Sequence, residues 1–318
     1  MQFFSKTDIN FVEKRNIFFV VSVVIIVFGI LATIILKPVL GIDFAGGTEI
    51  ALDFHKSIQT EQIRQSIESS GIKGGEIKSF GKENQFLIRI KESTKAETLV
   101  DDVLRNKFPD YKIEMLKVDQ IGPKIGKELG LQALFAVLLA VVAILLYIAF
   151  RFEFMFGLGA VAALLHDVII TFTFIVIFHH IGIIDLEINQ SIVAALLTVV
   201  GFSINDTVII FDRIRENRER FKGFDFIKMV NQSINETLSR TVNTVGTVLL
   251  VLIPVVVFGG PVLEGFAFTM LIGIITGTYS SVYIASSFVI WFMQKVKKVD
   301  LKEHTSIKEG LKESPANA

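Results

Sequence analysis

Residues 17–36 run for twenty positions without a charge, about the length a helix needs to cross a bilayer's hydrocarbon core. Five more apolar runs follow, at 129–150, 155–178, 188–211, 240–258 and 263–292. Inside lipid every backbone amide and carbonyl must be paired within the protein, so such runs commit a chain to membrane helices. The expected fold class is an α-helical polytopic membrane protein with six spans and one water-soluble insert after the first. No small-residue cleavage site precedes Lys37 and Pro38, so 17–36 reads as a retained helix rather than a removed signal peptide.

Net charge is zero, with 32 basic and 32 acidic residues, and says little because the charges are segregated along the chain. The absence of cysteine removes disulfide frameworks, thiol nucleophiles and cysteine metal sites from consideration. Orientation follows from the basic residues. Lys6, Lys14 and Arg15 precede the first span, Arg151 follows the second, arginines crowd 213–240, and Lys295, Lys297 and Lys298 follow the last. All fall on one side if there are six spans, which puts both termini (1–16 and 294–318) and the loop 212–239 in the cytoplasm and 37–128 outside. The tail 300–318 is polar and reads as disordered.

Within the insert, 48–54 reads as a strand and 60–70 as a helix carrying Ile63 and Ile67 and ending at Gly71. Residues 75–80 and 85–90 read as a hairpin around Gly81. A second helix, 95–107, places Leu99, Val103 and Leu104 on one face, and a last strand covers 111–118. Strand, helix, strand, strand, helix, strand is the ferredoxin-like split pattern of an α+β domain. In the loop 212–239, Arg213, Glu216 and Arg220 have the spacing of helix-surface ion pairs. Phe224, Ile227, Val230 or Asn231, Ile234 and Leu238 make an amphipathic stripe, expected to lie as a helix on the membrane face.

Three charged positions in or at the edge of the spans carry the chemistry. They are Asp167 beside His166, Asp206, and Arg240 at the start of the fifth span. A charge at mid-bilayer costs roughly 2.5 to 3.5 kcal/mol on insertion scales, so each needs a partner, water or a task. Asp206 lies near the inner end of its span, and Arg240 enters from that same side, so a pair is geometrically possible. Thr198, Gly201, Asn205 and Asp206 recur at three- and four-residue steps, as do Arg240, Asn243, Thr244 and Thr247. Packed together, the two stripes would form a polar seam in which an aspartate takes up and releases a proton. The alternative from the residues alone is a structural Asp–Arg clamp with hydrogen-bonding neighbours. Gly273 and Gly277 mark close helix packing, with the partner helix left open.

GIDFAGGT at 41–48 lacks the lysine and the preceding strand of a phosphate loop, so it reads as a tight turn at the membrane exit. No cofactor, metal or nucleic acid is called for, and His179–His180 in a short loop makes a poor metal site. No Ser, His and Asp set converges outside the membrane, so an enzyme is not expected.

GIDFAGGT at 41–48, HDV at 166–168, SINDTVIIFDRIRE at 203–216 and LSRT at 238–241 together resemble the signatures of the SecF family of bacterial protein-translocase subunits, across nearly the whole chain. This resemblance implies half of a resistance-nodulation-division (RND) bundle in the bacterial inner membrane. It implies a separate SecD partner and the SecYEG channel beyond it; contact with lipid follows from the spans, and direct contact of a sheet edge of the insert with translocating unfolded polypeptide stays open. It also implies use of the proton motive force in export, with the aspartate of SINDT on Asp206 and the arginine of LSRT on Arg240. Two other functions stay open, a proton-driven exporter of lipids or small hydrophobic molecules and a non-transporting scaffold of the translocon.

Overall fold

A computed structural model describes residues 7–72, 76–79, 84–90, 96–182, 184–220 and 225–296, without the side chains of 261 and 262. The turn around Gly81, Lys95, Phe224, Lys297, Lys298 and the tail beyond fall outside the described residues. The first membrane helix is α1, Arg15–Leu36. A single helical turn, α2 (Ile42–Ala45), leads into β1 (Gly47–Asp53), α3 (Thr60–Ser69), β2 (Glu76–Ser79), β3 (Gln85–Ile90), α4 (Ala96–Lys107) and β4 (Glu114–Ile121). Long apolar helices then follow: α5 (Pro123–Arg151), α6 (Phe154–Ile181), α7 (Gln190–Arg220) and α8 (Phe226–Phe258). The last span is α9 (Gly260–Ser280), a π-helical turn at Ser281–Ala285, and α10 (Ser286–Lys295). Six helices long and apolar enough to cross a membrane are thus present among the described residues.

The small sheet has the order β2-β3-β1-β4, every neighbouring pair antiparallel, which is the ferredoxin-like arrangement. Alternation explains its inner face. Ile50 and Leu52 on β1 and Phe86, Ile88 and Ile90 on β3 are buried against Ile63 and Ile67 of α3 and Val100 and Leu104 of α4. Two details differ from the expectation. The buried stripe of α4 is Ala96, Val100 and Leu104, a four-residue repeat, while Leu99 is 44% exposed. The last strand begins at Glu114 rather than at position 111. Tyr111 is drawn out of the strand by edge-on contacts with Phe54 and Phe108.

The turn at 41–48 stitches this domain to the bundle. Gly46 and Gly47 have φ of 76° and 141°, where a Cβ is strained. A Cβ on Gly47 would lie 2.7 Å from the Ile90 carbonyl, and one on Gly126 of α5 would lie 3.0 Å from the Gly46 nitrogen.

In the bundle, α7 packs against α9, α8 and α6. The segment 212–239 is not a separate helix on a membrane surface. Its described residues are the end of α7, to Arg220, and Asp225 with the start of α8, from Phe226, each helix continuous with a span, and the described part of its apolar stripe meets protein. Phe226, Met229, Val230 and Ile234 join Phe156, Phe211 and Ile214 in one core. Arg213 pairs with Glu216 as its spacing implied and also reaches Glu236 across the hairpin, while Asn217 donates to Ser233.

The partner of the small-residue stripe on α9 is α7 of the same chain. A Cβ on Gly273 would lie 2.3 Å from a Val199 methyl, and one on Gly277 would lie 3.0 Å from Ser203 Cβ. Gly273→Val is therefore expected to overpack this contact and cost about 1 to 3 kcal/mol. A detergent-solubilised thermal melt that showed no drop in midpoint for this variant would contradict the packing.

Candidate functional site

Asp206 sits midway along α7 with 1% of its surface exposed. Ser203, Asp206 and Thr207 share the α7 face turned to α9. Ser203 lies under Gly277, Thr207 Oγ1 is 2.8 Å from Ser281 Oγ, and Thr278 is within hydrogen-bonding reach of Asp206. The Thr278 hydroxyl has a single proton, however, and donates it to the Ile274 carbonyl at 2.9 Å. Its oxygen is then an acceptor, suited to a protonated carboxyl and not to a carboxylate. Asp206 Oδ2 is buried with no hydrogen-bond partner among the described residues.

The polar stripes divide differently from the seam expected of them. Asn205 and Asp206 are neighbours in sequence, about 100° apart on a helix, and the helix turns Asp206 inward and Asn205 outward. Thr198, Gly201 and Asn205 are exposed on α7, and Arg240, Asn243 and Thr247 are exposed on α8, with Thr244 half-buried. Thr198 and Thr247 turn their hydroxyls back to backbone carbonyls of their own helices. Arg240 is close enough for its charge to act on Asp206, but the two form no ion pair among the described residues. The stripes do not seal against each other within this chain; they present polar groups on its outer surface.

Asp167, on α6, is enclosed more completely, with none of its surface exposed. Its Oδ2 accepts from Ser203 Oγ at 2.5 Å and from Ser280 Oγ at 2.8 Å, and its Oδ1 is 2.9 Å from His166 Nδ1. His166 Nε2 is 3.1 Å from Ser22 Oγ, and Ser22 Oγ is 2.8 Å from the Tyr279 hydroxyl. Ser22 and Tyr279 are not singled out by the sequence; Ser203 enters there only as the first residue of SINDTVIIFDRIRE, and Ser280 only as a small residue continuing the Gly273 and Gly277 face. Small hydroxyl residues in apolar helices usually bond to their own backbone, and only the helix packing aims these at Asp167.

A second cluster joins the sheet to the segment between α6 and α7. Leu40 bridges Ile188, the Ile188 amide donates to the Val39 carbonyl at 2.8 Å, and the Gln190 amide donates to Asp43 at 2.8 Å. Above this, Lys78 of β2 lies 3.1 Å from Asp185 and 3.7 Å from Glu187, and Arg89 of β3 pairs with Glu187 and Glu49. His179, Asp185 and Glu187 are close enough together to suggest a cation site. The two carboxylates already face Lys78 and Arg89, and His179 Nδ1 is shared between the Leu186 amide at 3.2 Å and Asp185 at 3.4 Å. Glu264 at the start of α9 is a further membrane-edge charge outside the three the sequence singles out, and it lies within electrostatic range of Asp185.

Comparison with known proteins follows the same outline. Residues 100–295 match the family described as protein export membrane protein SecD/SecF, C-terminal. The SecF protein translocase subunit of Rhodothermus marinus is 39% identical over 293 residues, covering 91% of this chain and 95% of that one. The SecF subunit of Endomicrobium trichonymphae is 36% identical over 304 residues, covering 94% and 96%. The crystal structure of SecDF from Thermus thermophilus, a translocon-associated membrane protein, superposes with a TM-score of 0.81 at 33% identity, covering 93% of this chain. SecDF in its super-membrane-facing form gives 0.70 at 32% identity over 94% of this chain. The chain spans 40% of the length of either SecDF chain.

The ionic contact between sheet and loop has a pH signature. Burial works to raise the Asp185 carboxyl, but the His179 ring and the Lys78 and Arg89 charges outweigh it and hold it at about 2. An unfolded aspartate titrates near 3.9, about two units higher. The carboxylate therefore favours the closed contact fully above about pH 4, and that contribution is lost as pH falls through about 2. Lys78→Met should move the loss upward, read as hydrogen-exchange protection of 184–189 against pH. Superimposable profiles for the two proteins would contradict the assignment.

Proposed function

The chain belongs to the SecF family of protein translocase subunits, and from that premise we propose that it couples proton flow across the bacterial inner membrane to polypeptide export. In this reading it is half of a paired bundle, with SecD as the other half and the SecYEG channel as the larger partner. The small sheet domain (37–128) faces the outside, and both termini and the hairpin near 212–239 face the cytoplasm.

The observation that carries the proposal is the state of Asp206. A carboxylate in an apolar bundle without donors is unfavourable by several kcal/mol unless it is protonated or paired. Asp206 has an unpartnered buried oxygen and an acceptor hydroxyl in front of it, a surrounding better matched to the protonated form. Arg240, exposed one helix away, supplies the charge that favours the ionised form once the helices shift. Protonation from outside would loosen the hold of Arg240 and SecD on Asp206, and release inward would restore it. At a potential near 100 mV, each charge moved supplies about 2.3 kcal/mol, enough to bias a two-state packing more than tenfold.

The outward-facing stripe of Thr198, Asn205, Arg240, Asn243 and Thr244 supports a protein partner on this face, since polar side chains in lipid need one. A lipid or small-molecule exporter is less well supported, because the described insert is one four-stranded sheet. Asp167 enters as a second, weaker contributor to proton coupling.

In vesicles carrying the partner subunits, Asp206→Asn is expected to lower gradient-driven export at least tenfold while the complex still assembles. Arg240→Met should be similarly damaging and Asp167→Asn milder. Undiminished gradient-dependent export by Asp206→Asn would end the proposal.

A further inference from the structure

The hydrogen-bond chain from Asp167 to α1 fixes a proton count. The Tyr279 hydroxyl donates to the Phe18 carbonyl at 2.8 Å, and a phenol has one proton to give. At the 2.8 Å contact between Tyr279 and Ser22, Ser22 is therefore the donor. With its proton spent there, Ser22 can only accept from His166, so His166 Nε2 carries a hydrogen at the 3.1 Å contact. The 2.9 Å contact between His166 Nδ1 and Asp167 Oδ1 then needs one more proton. It is met either by an imidazolium facing a carboxylate or by a neutral ring facing a carboxylic acid.

In both forms the pair has net charge zero. The other assignment, a neutral ring with its proton on Nδ1 beside a carboxylate, has net charge minus one. It would also leave Nε2 bare against an oxygen with no proton to offer. His166 and Asp167 are 3% and 0% exposed. The groups facing them are Ser22 from α1, Ser203 from α7, and Tyr279 and Ser280 from α9. Asp206, one turn beyond Ser203, is the next carboxylate. Ser22, His166 and Asp167 share the contact order of a hydrolytic triad. Here, however, Ser22 is 2% exposed and its proton points away from the histidine, so it is no nucleophile.

We propose that the His166–Asp167 pair is a second proton-holding site, separate from Asp206, whose occupancy is transmitted to α1 through Ser22 and Tyr279. When the pair gives its extra proton to a water molecule, the ring keeps one hydrogen, on Nδ1 toward Asp167. Ser22 rotates its O–H to the bared Nε2, and Tyr279 rotates its O–H from the Phe18 carbonyl to Ser22. One proton leaves, the pair goes from zero to minus one, and no hydroxyl is ionised. The tie between Phe18 of α1 and Tyr279 of α9 breaks in the same event.

Solid-state nitrogen NMR on the full chain in lipid vesicles with its partner subunits tests this. The chain has five histidines, and the His166 resonances are those missing from His166→Gln. At neutral pH His166 is expected to carry a hydrogen on Nε2. It should be accompanied either by one on Nδ1 or by a protonated-carboxyl infrared band that Asp167→Asn removes. Tyr279→Phe retains the ring stacked 5.7 Å from His166 but frees Ser22 to donate, so the pair should lose its extra proton to water, leaving Nε2 bare and the ring's one hydrogen on Nδ1. A bare Nε2 in the parent protein, or no change in Tyr279→Phe, would overturn the proposal. Asp206→Asn should leave the His166 signals unaltered; a shift there would mean one merged relay and would overturn the claim of a separate site. Failure of the Asp206 export assay alone leaves this result standing.

Discussion

A carboxylate sealed among helices must be satisfied by them, and the packing of this bundle is arranged around one, Asp167. It lies on α6, takes hydroxyl protons from Ser203 of α7 and Ser280 of α9, and meets His166, which continues to Ser22 of α1. Four membrane helices converge on the His166–Asp167 pair. A hydrogen bond to a charged group contributes about 1.5 to 3 kcal/mol, so two hydroxyls and the histidine offset the roughly 2.5 to 3.5 kcal/mol that a mid-bilayer charge costs. Close approach is what lets short serine side chains reach. Gly273 and Gly277 bring α9 onto Val199 and Ser203, and Gly29 of α1 lies against Thr173 of α6.

Asp206, one helical turn from Ser203, has the opposite character. It is nearly as buried yet poorly supplied with donors, and the neighbouring stripe of Asn205, Arg240 and Asn243 looks out of the chain. One carboxylate is supplied with donors within this chain, and the other has a buried oxygen with no partner among the described residues. The same division recurs at the far end of α6. There the ionic cluster of Lys78, Arg89, Asp185 and Glu187 ties the sheet to the helix connection, while the glycines of 41–48 hold its other edge to α5. The small domain is thus fastened at two points, to α5 and to the connection between α6 and α7, the two helices that carry the buried carboxylates.

Much of this was legible beforehand because it depends on periodicity. The six spans, the order of strands and helices in the insert, and Asp206, Asp167 and Arg240 as the charges needing explanation all follow from runs, alternation and depth. What was misread depends on phase and neighbours. Periodicity puts Leu99 inside, but Val100 is the buried residue, and alternation puts Tyr111 in a strand, but Phe54 draws it out. The stripe from Phe224 to Leu238 is expected on a lipid surface, whereas its described members Ile227, Val230 and Ile234 pack on α6 and α7. In each case the periodic signal was real, and the surface it would meet was not encoded locally.

The sequence by itself determined the class of molecule, since an uncharged run of membrane length has no other stable home, and it determined the candidate residues, since ionisable groups in such runs are few. Only the tertiary structure decided which of them are satisfied. A one-residue step on α7 turns Asn205 out and Asp206 in, and glycine contacts spread over 250 residues of sequence, from Gly29 to Gly277, set which hydroxyls reach Asp167. Hydrogen bonds of about 3 Å are decided by how helices pack, and that information lies in the sum of many distant contacts.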